Sequence, residues 1–409
     1  MNLLTTRFAM VFLAALGVTT VLRVLLGWRQ RRCIEHCPEA AGDARARAYA
    51  LAKLRLEQTE TLYLALITAT LTTGGGLAWL TRHWSYAGTA HGTAFLLMLL
   101  GLLGLLELPL EAYRTFGIEA RFGFNRTAAS LWLQDIVKKA ALAAALMGPM
   151  LYLLLRLLAD AGRFWWVWMS AAFSALQIVM VWIYPTWIAP LFNRLESLPP
   201  GTVRSQAEAL LARNQISHSA LLVANGSLRS THGNAYVAGF GKRRRIVFFD
   251  TLLTRLTPEQ VCAVLAHEMG HVRAHHLAKH LVLVIPYTTA ALAFLAWIAR
   301  APWFFSAFGL APAPALAVAL VLVGGSPLMF CVRPLFMALS RHHEYEADRF
   351  AQRQGLGAAL AVALLTLYHD NASAPCQDPW YMAFHYTHPP PHARIARLQP
   401  HPPPTPTAT

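Results

Sequence analysis

Charge is what this chain has least of. Only 13% of its 409 residues are Asp, Glu, Lys or Arg, about half the share of an ordinary soluble domain. With 56% of residues hydrophobic, a soluble globule would expose more apolar surface than it could cover. Acidic residues are scarcest, 20 against 35 Lys and Arg, for a formal net charge of +15. In a soluble protein that excess would point to nucleic acid. Here the bases lie in loops between apolar runs, so no nucleic-acid partner is expected. Cysteine is sparse and odd in number: Cys33, Cys37, Cys262, Cys331 and Cys376 are scattered, which excludes a paired secreted framework. Cys33 and Cys37 stand four apart without a second pair, so reduced thiols are expected there rather than a metal knuckle. No repeat of fixed period is present. No small-residue cleavage site precedes Arg29, so the first apolar run reads as a membrane helix and not as a signal peptide.

Long apolar runs are what the chain does have. Crossing the hydrocarbon layer takes about 20 mostly apolar residues. Seven runs qualify, roughly 8–28, 62–81, 94–112, 140–158, 165–184, 278–299 and 314–336. The second contains Gly74-Gly75-Gly76, and the third carries Glu107 and Glu111 near its end, where they could line a polar interior. Basic and base-poor loops alternate between the runs, as the positive-inside rule requires. Residues 29–61, 113–139 and 185–277 and the C-terminal region are the basic ones. The N-terminus is then outside, with the long basic region 185–277 and the C-terminus cytoplasmic. A composition rich in Ala, Leu, Arg and Pro suits a bacterial inner membrane. The expected fold class is mainly α: a polytopic seven-helix membrane protein with a small α+β cytoplasmic region. Residues 1–192 form the N-terminal membrane domain with about five spans. Residues 193–398 form a second domain with two further spans, and 399–409 a disordered Pro-rich tail.

The soluble stretch 193–277 predicts a helix over 205–214 and strands over 220–224, 234–239 and 245–250, the last two a hairpin around Gly241-Lys242. A further helix starts at Thr257-Pro258-Glu259-Gln260, where Thr and Gln three apart make a capping box and Pro suits the first helical position.

That helix contains His267-Glu268-Met269-Gly270-His271. Positions four apart share a helix face, so two imidazoles can bind one zinc. Glu268 can reach a water that the metal acidifies. A catalytic zinc needs a third protein ligand and an open position. Glu344 in His342-His343-Glu344-Tyr345-Glu346-Ala347-Asp348 is the best candidate. Asp348, one turn on, can hold a ligand histidine through its free N–H. Glu346 falls on another face and reads as solvated. The last two apolar runs lie between the motifs and would return Glu344 to the membrane side of His267.

These residues resemble the integral-membrane zinc peptidases that include the type 1 CAAX prenyl proteases and the shorter HtpX-type proteases. Both motifs are common to that group. Others are similar to the CAAX branch: Phe116-Gly117-Ile118-Glu119-Ala120-Arg121-Phe122-Gly123-Phe124-Asn125, Tyr184-Pro185-Thr186-Trp187-Ile188-Ala189-Pro190-Leu191-Phe192-Asn193, Asn234-Ala235-Tyr236, Arg245 to Leu253, and His388-Pro389-Pro390. The resemblance covers most of the chain to about residue 398. It implies seven helices around a water-filled chamber, one Zn2+ per chain at the cytoplasmic end, and cleavage near the C-terminus of prenylated proteins. It also implies that Asn234, Ala235 and Tyr236 lie on an edge strand that pairs with the substrate, and that His388 and Arg394 stabilise the oxyanion or orient the site. Pro391 and Ala393 stand where the family usually has leucine and glutamate. The expected partners are a polypeptide substrate, prenylated or membrane-associated, and the lipid bilayer. Two alternatives stay open: a general quality-control metalloprotease for membrane proteins, and a polytopic transporter with an incidental zinc site.

Overall fold

In the computed structural model, which describes residues 3–37 and 43–398, four of the apolar runs become helical stretches of 31 or 32 residues, longer than a span needs. The tail expected over 399–409 lies outside the described residues. The first half runs α1 (Leu3–Glu35), α2 (Ala44–Leu71), α3 (Gly76–His83), α4 (Gly88–Ala112), α5 (Ala129–Asp160), α6 (Trp165–Ile183) and α7 (Ala189–Phe192). There follow β1 (Leu195–Ser197), α8 (Thr202–Arg213), β2 (Ala220–Ala224), β3 (Ala235–Ala238), β4 (Arg245–Phe249), α9 (Asp250–Leu253) and α10 (Pro258–Arg273). The chain ends with α11 (His276–Ile298), α12 (Pro302–Ser306), α13 (Pro314–Gly324), α14 (Ser326–Arg353), α15 (Gly357–Asp370), α16 (Pro379–His385) and α17 (Pro391–Leu398).

Five stretches are long and apolar enough to cross a membrane unbroken: Thr5–Glu35, Gly88–Glu119, Ala129–Asp160, Gly162–Phe192 and His276–Ile298. Two more qualify as bent pairs, α2 with α3 and α13 with α14, each bent by 55°. The first bend falls at the triple glycine. A Cβ on Gly74 or Gly76 would lie 2.8–2.9 Å from the backbone of Thr70 or Leu71, and Gly75 has φ 79°, so only glycine fits. Within the five apolar windows only 11–22% of residues are buried, and Leu66, Leu105, Trp168 and Val282 are exposed. In water that surface would aggregate; in lipid it is the solvated face. The bundle still has a core of its own, around Phe95, Leu96, Leu99, Leu155 and Leu316. Glu111 faces α5 through an ion pair with Lys139 at 3.3 Å. Glu107 borders a 210 Å³ cavity shared with Thr19, Arg23, Thr61 and Ser326.

The soluble region packs a four-stranded sheet on helices, with buried Leu211, Phe248, Val261, Leu265 and Leu360 at its centre. The strand order is β1-β2-β4-β3. β2 and β4 are parallel, and β3 and β4 form the expected antiparallel hairpin with Tyr236 opposite Val247. β1, antiparallel to β2, was not anticipated. Three residues with a central glutamate carry too little alternation to be seen.

Two family-like segments are the joints between the halves. Both leave the membrane bundle as wide π-type turns, Tyr113–Glu119 and Tyr184–Ile188. The first reaches Asn125, which bridges to Ser230. There Arg229 makes a two-bond pair with Asp135 of α5 at 2.8 and 3.0 Å. The second offers the Pro185 carbonyl to Arg245 Nη1 at 3.0 Å.

Candidate metal centre

The site is built where α10 crosses α14. α10 begins at the expected capping box, with Thr257 and Gln260 each bonding the other's backbone N–H. Val261, Leu265 and Met269 bury one face against the soluble core. The close crossing depends on Gly270: a Cβ there would meet Ala347 Cα at 2.7 Å and its carbonyl oxygen at 2.9 Å. α14 starts in the membrane region and runs unbroken to Arg353, so one rigid helix delivers Glu344 and Asp348.

His267 and His271 present their rings 77° apart, with Nε2 atoms separated by 3.2 Å. Glu344 faces the pair with both oxygens, Oε2 at 3.5 Å from His267 Nε2 and Oε1 at 3.4 Å from His271 Nε2. Ligands of a tetrahedral zinc with bonds near 2.1 Å lie about 3.4 Å apart. The three side chains therefore bring donor atoms close enough to share one metal ion, all within 4.8 Å of one another. Glu344 is buried, and its Oε2 makes no hydrogen bond, although His388 Nδ1 lies at 2.8 Å and Arg394 Nη1 at 3.2 Å. A buried carboxylate aimed between two imidazole nitrogens is stabilised by a cation held there. The residues present thus fit a zinc ion.

Each ligand histidine is supported through its other nitrogen. His267 Nδ1 lies 2.9 Å from Asp348 Oδ1. Arg394 donates to both oxygens of that carboxylate, at 2.8 and 2.7 Å. Burial alone would lower the Arg394 pKa, but Asp348 more than offsets it and the group is raised. His271 is supported differently. Its Nδ1 lies 2.9 Å from His276 Nδ1, and His276 Nε2 lies 2.8 Å from Glu346 Oε2, which also accepts from Lys279 at 3.2 Å. One set of tautomers satisfies the whole chain: His271 donates to His276, and His276 donates to Glu346. Desolvation alone would lower the His271 pKa, but Glu344 and Glu268 outweigh it and the group is raised.

Glu346 is therefore not the solvated residue expected from its helix face. His276 and Glu346 are functional candidates that sequence spacing missed. The reason is the break at His275, where φ is 54°. It turns α11 so that His276 faces back toward α10, against the periodicity of either helix. His276, His343 and Glu346 also bring donor atoms within 4.8 Å of one another. The two rings, however, are stacked 14° from parallel at 3.9 Å. Their in-plane lone pairs run side by side instead of converging, unlike those of His267 and His271.

Glu268 follows the first ligand and is half-buried. Desolvation pushes its carboxyl up, a shift that the neighbouring histidines oppose and Glu344 reinforces. His388 is exposed beside Glu344, while Arg394 is buried. Asn234 directly precedes β3; its carbonyl accepts from Phe249 N at 2.9 Å. Ala235 is buried and Tyr236 packs edge-on against Phe249. β3 is the edge of the sheet, paired only with β4 among the described residues.

Two histidines one turn apart, a carboxylate from a crossing helix and a second carboxylate beside them, at the end of a membrane bundle, define a membrane metallopeptidase. Residues 197–401 match the model of peptidase family M48, and residues 39–194 match that of the CAAX prenyl protease N-terminal region with five membrane helices. The chain belongs to this family and is an integral-membrane metallopeptidase. It is 31% identical over 368 residues to a CAAX prenyl protease 1 homolog of Oryza sativa, covering 87% of this chain and 86% of the relative. It is 33% identical to CAAX prenyl protease 1 of Saccharomyces cerevisiae, over 76% of this chain and 72% of that one. The crystal structure of S. mikatae Ste24p superposes with a TM-score of 0.90 at 27% identity, covering 95% of this chain and 98% of that one. These relatives are plant and yeast proteins and lend no support to a bacterial inner membrane.

Proposed function

We propose that this protein is a zinc endopeptidase that cleaves prenylated proteins near their C-termini, as the names of its relatives suggest. The observation that carries the reading is the cluster of His267, His271 and Glu344 with Glu268 beside it. Zinc held by His267, His271 and Glu344 would supply Lewis-acid chemistry at the scissile carbonyl and its water. Glu268 takes the proton from that water and passes it to the leaving amine. Its raised carboxyl lies closer to the water in acidity than an ordinary glutamate would. His388, exposed at the site, donates to the carbonyl oxygen as it gains charge. Asp348 and Arg394 position His267. The substrate backbone adds to the free edge of β3 at Asn234, Ala235 and Tyr236.

The basic loops supply the orientation, with the N-terminus outside and the metal centre cytoplasmic. The division at residue 192 assigns the substrate-accommodating bundle to 1–192 and the chemistry to 193–398.

The test is cleavage of one peptide, farnesylated at a C-terminal CAAX cysteine or left bare, by detergent-purified protein. The lipidated peptide should be cut by wild type, and Glu268→Gln should lose about 10²- to 10⁴-fold while keeping its zinc. Equal cleavage of both peptides would replace the prenyl specificity with general quality control. Full activity of Glu268→Gln would overturn the mechanism.

A further inference from the structure

The four consecutive bases Lys242 to Arg245, which close the β3–β4 turn and open β4, lie outside the metal centre. The turn is tight: Gly239 and Gly241 have φ of 89° and 55°, and Arg243 N bonds Phe240 O at 3.2 Å. It projects Lys242 and Arg243 into solvent at the end of α6. There a cavity of about 450 Å³ opens between hairpin and helix. Val179, Trp182, Ile183 and Trp187 form its apolar wall, and Arg243 and Arg245 its charged end. The Arg243 guanidinium sits over the Trp182 ring, 4.7 Å from the centroid. Among the described residues no acidic side chain lines the cavity.

We propose that this cavity binds the headgroup of an anionic phospholipid. The chemistry is complementary at both ends. Tryptophans at a helix end mark the membrane interface, where an amphipathic ring lies between acyl chain and headgroup. Guanidinium groups present planar donors that match a phosphate. Arg243 holds its guanidinium over the Trp182 ring and carries five N–H donors. Arg245 spends one N–H on Pro185 O, and a guanidinium has further donors. A cationic pocket without its own carboxylates needs an anion from outside, and the leaflet is its nearest source. Phe240 and Trp187, 43% and 70% exposed, would enter the same interface.

The occupant would fix more than the turn. Arg245 opens β4 and is the register partner of Ala238, the last residue of β3. A lipid clamped between Arg243, Arg245 and Trp182 thus holds the hairpin whose outer strand is the sheet edge. Its effect on catalysis rests on the reading of β3 as the substrate strand; the binding does not.

Native mass spectrometry of the full chain in detergent tests the binding, with phosphatidylglycerol and phosphatidylcholine of identical acyl chains as probes. Each basic residue at a membrane surface contributes about fivefold to anionic-lipid affinity. The wild type should therefore prefer phosphatidylglycerol by about an order of magnitude, Arg243→Gln should lose about fivefold of that preference, and Arg353→Gln should lose none. An unchanged preference in Arg243→Gln overturns the proposal. So does equal retention of both lipids with inorganic phosphate bound instead, which would assign the arginines to a soluble anion. Peptide cleavage in nanodiscs then separates the two readings. It should be faster in phosphatidylglycerol than in phosphatidylcholine for the wild type, and indifferent to lipid for Arg243→Gln. Lipid preference without any effect on rate would uphold the site and sink the assignment of β3.

Discussion

The two ligand histidines sit one turn apart on the same helix, yet they are held by opposite means. His267 leans on a buried, fully charged pair, Asp348 and Arg394, each about 3–7% exposed. His271 leans on a second imidazole, with the charge one step further out on Glu346, where the side chain is 26% exposed and Lys279 shares it. Arg394 also lies 3.2 Å from Glu344, so the first arm serves two of the three ligands. Charge buried without water is strongly held when paired and expensive when a partner is lost. A neutral imidazole bonded at both nitrogens fixes the tautomer of its neighbour but adds little field. The His267 side is therefore built for rigidity and the His271 side for orientation alone.

The largest effect should come from breaking the charged arm. Arg394→Ala removes the permanent positive charge that Asp348 and Glu344 share. It should cost about 3–5 kcal/mol of stability, read from thermal unfolding of the metal-free protein. The double variant Arg394→Leu with Asp348→Leu should recover much of that stability without recovering zinc affinity. If Arg394→Ala alone is silent, the charged pair is not what holds the site.

On the imidazole arm, His276→Phe keeps a ring against His343 but removes the bond to His271. Zinc affinity should fall about tenfold, the low end for a lost outer partner, with stability nearly unchanged. A loss as large as that of Arg394→Ala would erase the distinction between the arms. Smallest of all should be Glu346→Gln, which keeps a hydrogen-bond acceptor for His276. Competition with a chelator should show only a few-fold loss, below the range for direct partners. A greater loss than in His276→Phe would mean that Glu346 acts on the metal by its field and not through the relay.

How much of this was legible depends on the range of the interaction. The α10 helix was readable because its cap, its apolar spacing and the turn that joins His267 to His271 are local. Helix pitch sets them whatever the helix packs against. The seven apolar runs were readable for a similar reason, since the width of the bilayer imposes their length. The helices themselves overran those runs: α14 continues well past the apolar stretch as a single rod, because charge ends a membrane segment but does not end a helix. His276 was hidden by the left-handed residue before it, and Glu346 by the face it was given. β1 was hidden by its brevity.

By itself the sequence determined that the chain lives in a membrane, which residue types could hold a metal, and which two of them share one turn of helix. Those properties follow from composition, from the pitch of a helix and from the thickness of lipid. Only the tertiary structure decided that Glu344 meets that pair at ligand distance, that Arg394 and His276 stand behind the two imidazoles, and that the β3–β4 turn closes a cavity against α6. These depend on which helices cross and how closely, as at Gly270 against Ala347. A crossing is settled by packing between residues far apart in the chain.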